Sequence, residues 1–167
     1  MSLELIKALK DSGVVVRKKL ILSQGDVSDH YFDIKKAYGR SEVLELTARE
    51  MLKDIDGERT TCIASSGYGG IPLATAISQL SGLKLTLVRG NPREYGLEKS
   101  IEGYVPTFGD KVSIVDDVFT TGGNLRNIME TIRSTGADIL DCHVVVKRGK
   151  GGLRVPLIYL LAAEELL

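Results

Sequence analysis

Between residues 112 and 132 the sequence changes its hydrophobic period once, and abruptly. Val112 to Val115 is a short apolar run, Asp116 to Gly123 is polar and rich in glycine, and Leu125, Ile128, Met129 and Ile132 then recur at helical spacing before Gly136. A buried strand that hands over to an amphipathic helix across a polar turn can cover its apolar side chains only in a layered α/β sheet. That unit sets the expected fold class before any other segment is read.

The rest of the chain repeats the alternation. Residues 1–13, MSLELIKALKDSG, have the pattern of an amphipathic helix ended by Gly13. Ser41 is placed to cap a second helix with an apolar face of Leu44, Ala48, Met51, Leu52 and Ile55, and Gly57 follows as a stop signal. Cys62 to Ala64 is a short buried strand, and Ser65 to Gly70 a flexible turn into a helix beginning near Pro72 with a buried stripe of Leu73, Ile77 and Leu80. Leu85 to Val88 is the next strand. Arg89 to Ser100 has neither period, contains Gly90, Pro92, Gly96 and five charged side chains, and is expected to be a mobile loop. Ile139 to Val146 has the nearly continuous β-branched character of a strand covered on both faces, and Leu157 to Leu167 supplies a last strand and short helix. The expectation is a single-domain, open, mainly parallel twisted α/β sheet flanked by helices.

Composition narrows the function. With 167 residues, 43% of them hydrophobic, the chain suits one globular domain with a proper core. Twenty-two basic and 22 acidic side chains balance to zero, so no global field draws the protein to nucleic acid or anionic lipid, and any anion site must be local. No apolar run approaches the roughly 20 residues that span a bilayer, and a cytoplasmic location is expected. Cys62 and Cys142 sit in apolar runs without metal-ligand spacing, as buried reduced thiols do. His30 is expected to pack near the site entrance and His143 in the core or at a sheet edge, neither with a catalytic role.

In an open α/β sheet, ligands bind beyond the carboxyl ends of the strands, where the turns at 65–70, 89–100 and 116–124 should converge. At Thr120, Thr121, Gly122, Gly123 and Asn124 a strand gives way to a helix. Its first N–H groups lack partners and carry the positive end of the helix dipole, which suits a phosphate monoester. Threonines that merely cap the helix beside a tight glycine turn are as common an explanation of a bare TTGG. The adjacent carboxylates of Asp116 and Asp117 shift that balance, because they repel each other unless hydroxyl donors or a divalent cation lie between them. A sugar diol together with magnesium supplies both.

The segment VSIVDDVFTTGGN resembles the phosphoribosyl pyrophosphate motif of type I phosphoribosyltransferases. Further segments are similar to the orotate-using members: Tyr31, Phe32, Asp33, Lys36, Ala37 and Tyr38, then GGIPLATA from Gly69, then VRGNPREYG and IEG. The resemblance implies the type I fold with a small N-terminal hood over about residues 1–40. It implies ribose hydroxyls held by Asp116 and Asp117, a 5-phosphate wrapped by Thr120 to Asn124, pyrophosphate contacts from Ser65, Ser66, Gly67, Tyr68 and Gly69, and further contacts to phosphoribosyl pyrophosphate from Val118 and Phe119. Arg89, Arg93, Tyr95 and Lys99 would lie on a loop over 89–100 that folds across the neighbouring subunit's site in a homodimer. Arg89, Arg93, Lys99 and Asp117 are then the catalytic candidates, with Mg2+ near Asp116 and Asp117 carried mainly by the substrate. Arg148, Thr120, Tyr31 and Phe32 are the orotate candidates. A solvated basic run of Lys147, Arg148, Lys150 and Arg154 is the competing account of that arginine.

The sequence departs from the bacterial pattern at Ser23, Gly69, Gly90, Arg93 and Tyr95, where a lysine, a lysine, a lysine, a lysine and a histidine are usual. Arg93 preserves charge with different geometry, whereas the exchanges at 90 and 95 weaken pyrophosphate stabilisation. Three rivals remain: a phosphoribosyltransferase for a purine or another pyrimidine, a non-catalytic phosphoribosyl pyrophosphate sensor, and a dinucleotide-binding domain. The sensor needs a DNA-binding element that no segment supplies, and the last needs a G-x-G-x-x-G turn that GYGG does not match.

Overall fold

The computed structural model describes residues 3–21, 27–90 and 100–167. In chain order the elements are α1 (Leu3–Asp11), β1 (Val15–Ile21), β2 (Val27–Phe32), a 3-10 segment (Ile34–Gly39), α2 (Ser41–Leu52), β3 (Cys62–Ser65), α3 (Gly67–Ser81) and β4 (Lys84–Val88). Then come β5 (Ile101–Gly103), β6 (Lys111–Phe119), α4 (Gly123–Arg133), β7 (Asp138–Lys147), β8 (Leu157–Ala162) and a closing 3-10 turn (Ala163–Leu166).

Six strands form one sheet in the order β5–β4–β3–β6–β7–β8, all parallel except β5. From β3 the chain steps outward to β4, and from β6 it steps the other way to β7 and β8. Right-handed crossovers in opposite directions put their helices on opposite faces. Accordingly Leu73, Ala74 and Ile77 of α3 belong to one apolar cluster, and Leu125, Ile128, Met129 and Ile132 of α4 to the other. Successive strand residues serve the two layers in turn: Ile63, Val115 and Val145 face α3, while Ala64, Ile114 and Val144 face α4. Between β3 and β6 the departing connections diverge, and a crevice opens at their carboxyl ends.

The N-terminal part stands apart from this sheet as an antiparallel pair, β1 with β2. Leu5 and Leu9 of α1 pack into the same cluster as Phe32, Ile34 and Ala37, which ties the pair to the α3 face. Asp33 N–H donates to the Val14 carbonyl at 2.8 Å and turns the chain into the 3-10 segment.

Several local expectations are corrected. Arg40, not Ser41, is the cap residue of α2, and the helix ends at Leu52, so Ile55 is buried beyond it and Gly57 ends nothing. A tertiary demand moves the start of α3 back to Gly67 and leaves Pro72 inside the helix, because the GYGG stretch is needed as a helical turn against β6. Pro72 has no N–H to donate to the Tyr68 carbonyl, a loss that falls in the first turns of the helix beside the exposed Tyr68. Leu80 is 36% exposed, and Ala74 completes the buried stripe in its place. Strand β6 runs on to Phe119, since pairing with β7 continues through Asp116↔Val144 and Val118↔Val146, which leaves only residues 120–122 as turn. Strand β5 had no signal in the sequence; it pairs antiparallel with β4 and closes the base of the 89–100 segment.

Cys62 and Cys142 are free and buried as expected, and burial, then the Asp141 charge, pushes the Cys142 thiol up to about 12. His143 lies in the core beside Asp141, Nε2 to Oδ1 3.0 Å, whereas His30 lines a shallow groove with Lys10, Arg17 and Leu166.

Candidate active site

The crevice is built by two strand ends and two helix starts. On one side β3 ends at Ser65, whose hydroxyl donates to the Val115 carbonyl at 2.7 Å and stitches β3 to β6. Ser66 then begins α3 without a side-chain cap. A methyl group on Gly70 would collide with the Ser65 hydroxyl and lie 2.9 Å from the Val115 carbonyl oxygen; one on Gly69 would collide with the Asp117 carboxylate. Only glycine lets the first turn of a helix come this close to the acids.

On the other side, β6 delivers Asp116 and Asp117. Asp116 is 5% exposed; its Oδ1 accepts the Asp117 N–H at 3.0 Å and its Oδ2 accepts the Asn124 carboxamide at 2.7 Å. Asp117 Oδ1 accepts the Val118 N–H at 2.9 Å, and its Oδ2 faces the Lys35 ammonium at 3.6 Å. Burial first, and the Asp117 charge second, raise the Asp116 carboxyl to about 7 against the pull of Asn124. The same two charges act on Tyr38, whose phenol is driven well above its usual value, chiefly by burial. Its hydroxyl is buried and has no hydrogen-bond partner among the described residues.

Beyond Asp117 the chain turns through exposed Thr120, half-buried Thr121 and Gly122, which has φ +79°, into α4. No side chain caps that helix, so neither threonine spends its hydroxyl on the first turn, and the leading N–H groups stay available to an anion. Phe119 is buried beneath the turn, 2.8 Å from where a Gly122 methyl would stand, and so supports it rather than lining the crevice. From behind, the Arg126 guanidinium donates to the carbonyls of Thr121 and of Gly152, the latter at 3.4 Å.

Arg148 follows β7 directly beside this turn. Its N–H donates to the Phe119 carbonyl at 2.9 Å, its guanidinium lies 5.7 Å from the centre of the Phe32 ring, and Gly149 has no room for a methyl group against the Thr120 carbonyl. Tyr31, 41% exposed, neighbours Phe32 on β2. Three of the orotate candidates thus lie around one end of the crevice.

At the opposite end, Arg89 N–H donates to the Ser100 carbonyl at 2.9 Å and its Nε to Glu102 at 3.2 Å. The neighbouring Gly90 stands close to Ser66, 3.9 Å from its hydroxyl as measured from an added methyl. Ser23, Arg93, Tyr95 and Lys99 lie outside the described residues. Among the described residues no group of three or more His, Cys, Asp or Glu is arranged to hold a metal ion. A pair of crowded carboxylates fits a cation that brings most of its ligands with it.

Contributors that the sequence reading did not assign are Lys35, Gly70, Arg126 and Gly149. Lys35 adjoins the Lys36 of the FDIKKA segment; Lys36 is exposed, while Lys35 turns inward to Asp33 at 3.1 Å and to Asp117. The glycines give no signal in one sequence, because the need for them comes from backbone that is distant along the chain.

The family described as "Phosphoribosyl transferase domain" matches residues 35–156. Orotate phosphoribosyltransferase of Methanothermobacter thermautotrophicus is 40% identical over 150 residues, 90% of this chain and 82% of that protein. The enzyme of the same name from Methanocaldococcus jannaschii is 37% identical over 169 residues, covering 98% of this chain and 95% of its own. Among solved structures, orotate phosphoribosyltransferase from Aeropyrum pernix superposes with a TM-score of 0.86 at 28% identity, over 98% of this chain and 96% of that one. With the switch-point crevice, its acid pair and its uncapped helix start, these likenesses place the chain in the type I phosphoribosyltransferase family.

Proposed function

We propose that this protein transfers the phosphoribosyl group of phosphoribosyl pyrophosphate to orotate, giving orotidine 5-monophosphate and pyrophosphate on the way to UMP. The observation that carries the reading is the acid pair near the end of β6, followed across a three-residue turn by an uncapped helix start. In this reading the carboxylates of Asp116 and Asp117 accept hydrogen bonds from the ribose hydroxyls. The N–H groups and hydroxyls of Thr120, Thr121, Gly122, Gly123 and Asn124 take the 5-phosphate. Ser66, Gly67, Tyr68 and Gly69 present the start of α3 to the pyrophosphate, and Ser65 acts by fixing that turn on β6. Arg148 pairs with the orotate carboxylate, with Phe32 and Tyr31 flanking the base. The named archaeal relatives support the choice of base.

In the transfer, N1 of orotate forms a bond to C1 of the ribose as the bond from C1 to the pyrophosphate oxygen breaks, and the N1 proton is given up to the departing pyrophosphate or to solvent. Positive charge develops at C1 and negative charge on the leaving group, so no protein nucleophile is needed. Arg89, Arg93 and Lys99 are assigned to the departing pyrophosphate. Arg89 is paired with Glu102 at 2.5 Å in the present state, so its role requires an exchange of partners as the 89–100 segment closes. Magnesium, brought mainly by the substrate and seated beside Asp116 and Asp117, would neutralise charge on the leaving group. The same reading has the segment reaching across to a second copy in a cytoplasmic homodimer, with residues 1–40 as a hood over a single catalytic domain.

The test is incubation of the protein with phosphoribosyl pyrophosphate, magnesium and a panel of bases comprising orotate, uracil, adenine and hypoxanthine, with and without chelator. Orotidine monophosphate formed from orotate alone, and abolished by chelator, is the expected result. Turnover with another base but not orotate overturns the assignment of Arg148.

A further inference from the structure

We infer that Lys35 is a positioning residue for the phosphoribosyl substrate, holding the Asp117 carboxylate in the orientation that receives the ribose hydroxyls. The inference rests on the proposed transfer reaction and adds to it a residue from outside the sugar-phosphate motif. Three elements meet at Asp117. Strand β6 supplies the carboxylate, the first turn of α3 presses on one side through the missing side chain of Gly69, and the Lys35 ammonium closes the other side at 3.6 Å. Lys35 is itself held in place: Asp33 Oδ1 lies 3.1 Å from its ammonium, and the Tyr31 ring centre is 5.9 Å away. Asp33 directly follows β2, so Lys35 links the end of the N-terminal hairpin to the sugar site.

Charge explains why the contact is kept. Asp116 and Asp117 are neighbours in a partly dehydrated crevice, and Asp116 already spends both oxygens on Asp117 N–H and Asn124. Asp117 has one oxygen on Val118 N–H and the other turned to Lys35. Among the described residues Lys35 is the one cation facing that second oxygen, and without it the crowding by Asp116 is free to turn the carboxylate away from the ribose position. A lysine merely lying at the surface would leave Asp117 unaffected by its loss.

The experiment compares wild type, Lys35→Met, Lys35→Gln and Lys35→Arg, with Lys7→Met as a control for loss of one exposed positive charge. Wild-type turnover is measured first; if no base gives a nucleotide, the proposed function fails and not this inference. In an active protein, the Met and Gln variants are expected to raise KM for phosphoribosyl pyrophosphate about tenfold, with KM for orotate within twofold of wild type. Lys35→Arg restores most of the loss, and calorimetry of phosphoribosyl pyrophosphate with magnesium, without base, shows the same tenfold weakening. Melting temperatures within a few degrees of wild type accompany these changes. Unchanged sugar-phosphate affinity in both uncharged variants overturns the inference. So does a loss that Arg fails to rescue and that falls equally on both substrates, which marks Lys35 as general scaffold.

Discussion

Strand β6 begins and ends beside a buried aspartate, and the two are treated in opposite ways. Asp110, just before the strand, receives the Tyr104 hydroxyl at 2.7 Å, the Thr61 hydroxyl at 2.8 Å, and the Thr107 N–H and hydroxyl at 2.9 and 3.2 Å. Burial works against its charge, but these donors win and hold the carboxyl down at about 2. Asp116, near the other end, has two donors and a second carboxylate beside it, and is raised to about 7. One aspartate is saturated and staples the loop before β6. The other has one donor on each oxygen but is crowded by burial and by the neighbouring carboxylate, a perturbation of the kind that gathers at functional sites.

Breaking the functional end should give the largest effect. Asp117→Asn or Asp116→Asn is expected to lower orotidine monophosphate formation by roughly 100-fold, since a carboxamide is a poorer acceptor for the ribose hydroxyls. Asp116→Asn should at the same time stabilise the fold by about 2 kcal/mol at pH 8, as measured by denaturant melts, because it removes a crowded buried charge. A variant that loses both activity and stability contradicts this difference between the two aspartates. At the saturated end, Asp110→Ala strands the donors of Thr61, Tyr104 and Thr107 and should cost about 3 kcal/mol in the same melts. Its kcat per folded molecule should stay at the wild-type value.

Smaller effects sharpen the comparison. Arg148→Ala should raise KM for orotate about tenfold in steady-state assays, with less change in KM for the sugar phosphate. Titration separates the two aspartates by sign. Folded Asp116 keeps its proton up to about 7, while an unfolded aspartate releases it near 3.8. The folded state therefore binds more protons in that window, and the Asp116 contribution makes stability fall as pH rises through it. Asp110 contributes in the other direction: its stabilisation is present above the unfolded value of 3.8 and is lost as pH falls towards about 2. Subtracting the melts of Asp116→Asn from those of wild type between pH 4 and 8 should isolate the first slope.

Much of the candidate site was legible because it is local. Asp116, Asp117 and Thr120 to Asn124 are contiguous, and the strand-to-helix switch around them shows in the hydrophobic period alone. Lys35 was not legible: two lysines stand side by side at 35 and 36, and nothing in the pattern says which one turns inward. Neither was the true start of α3, since Pro72 and the GYGG stretch favour a later helix until the acids of β6, nearly 50 residues on, are packed against it. Strand β5 escaped for the same reason, as three residues, Ile101–Gly103, become a strand only when β4 offers its edge.

The amino-acid sequence alone indicated the alternation of strands and helices from α2 onward, β5 excepted, and the position of the candidate sugar-phosphate motif, because each depends on neighbours within a dozen positions. Tertiary structure decided which acid is crowded, which lysine answers it, and which glycines cannot be replaced. Those properties arise where chain segments 30 to 80 residues apart come within a few ångströms, and the energy of a buried charge is set by such contacts rather than by the residues on either side of it.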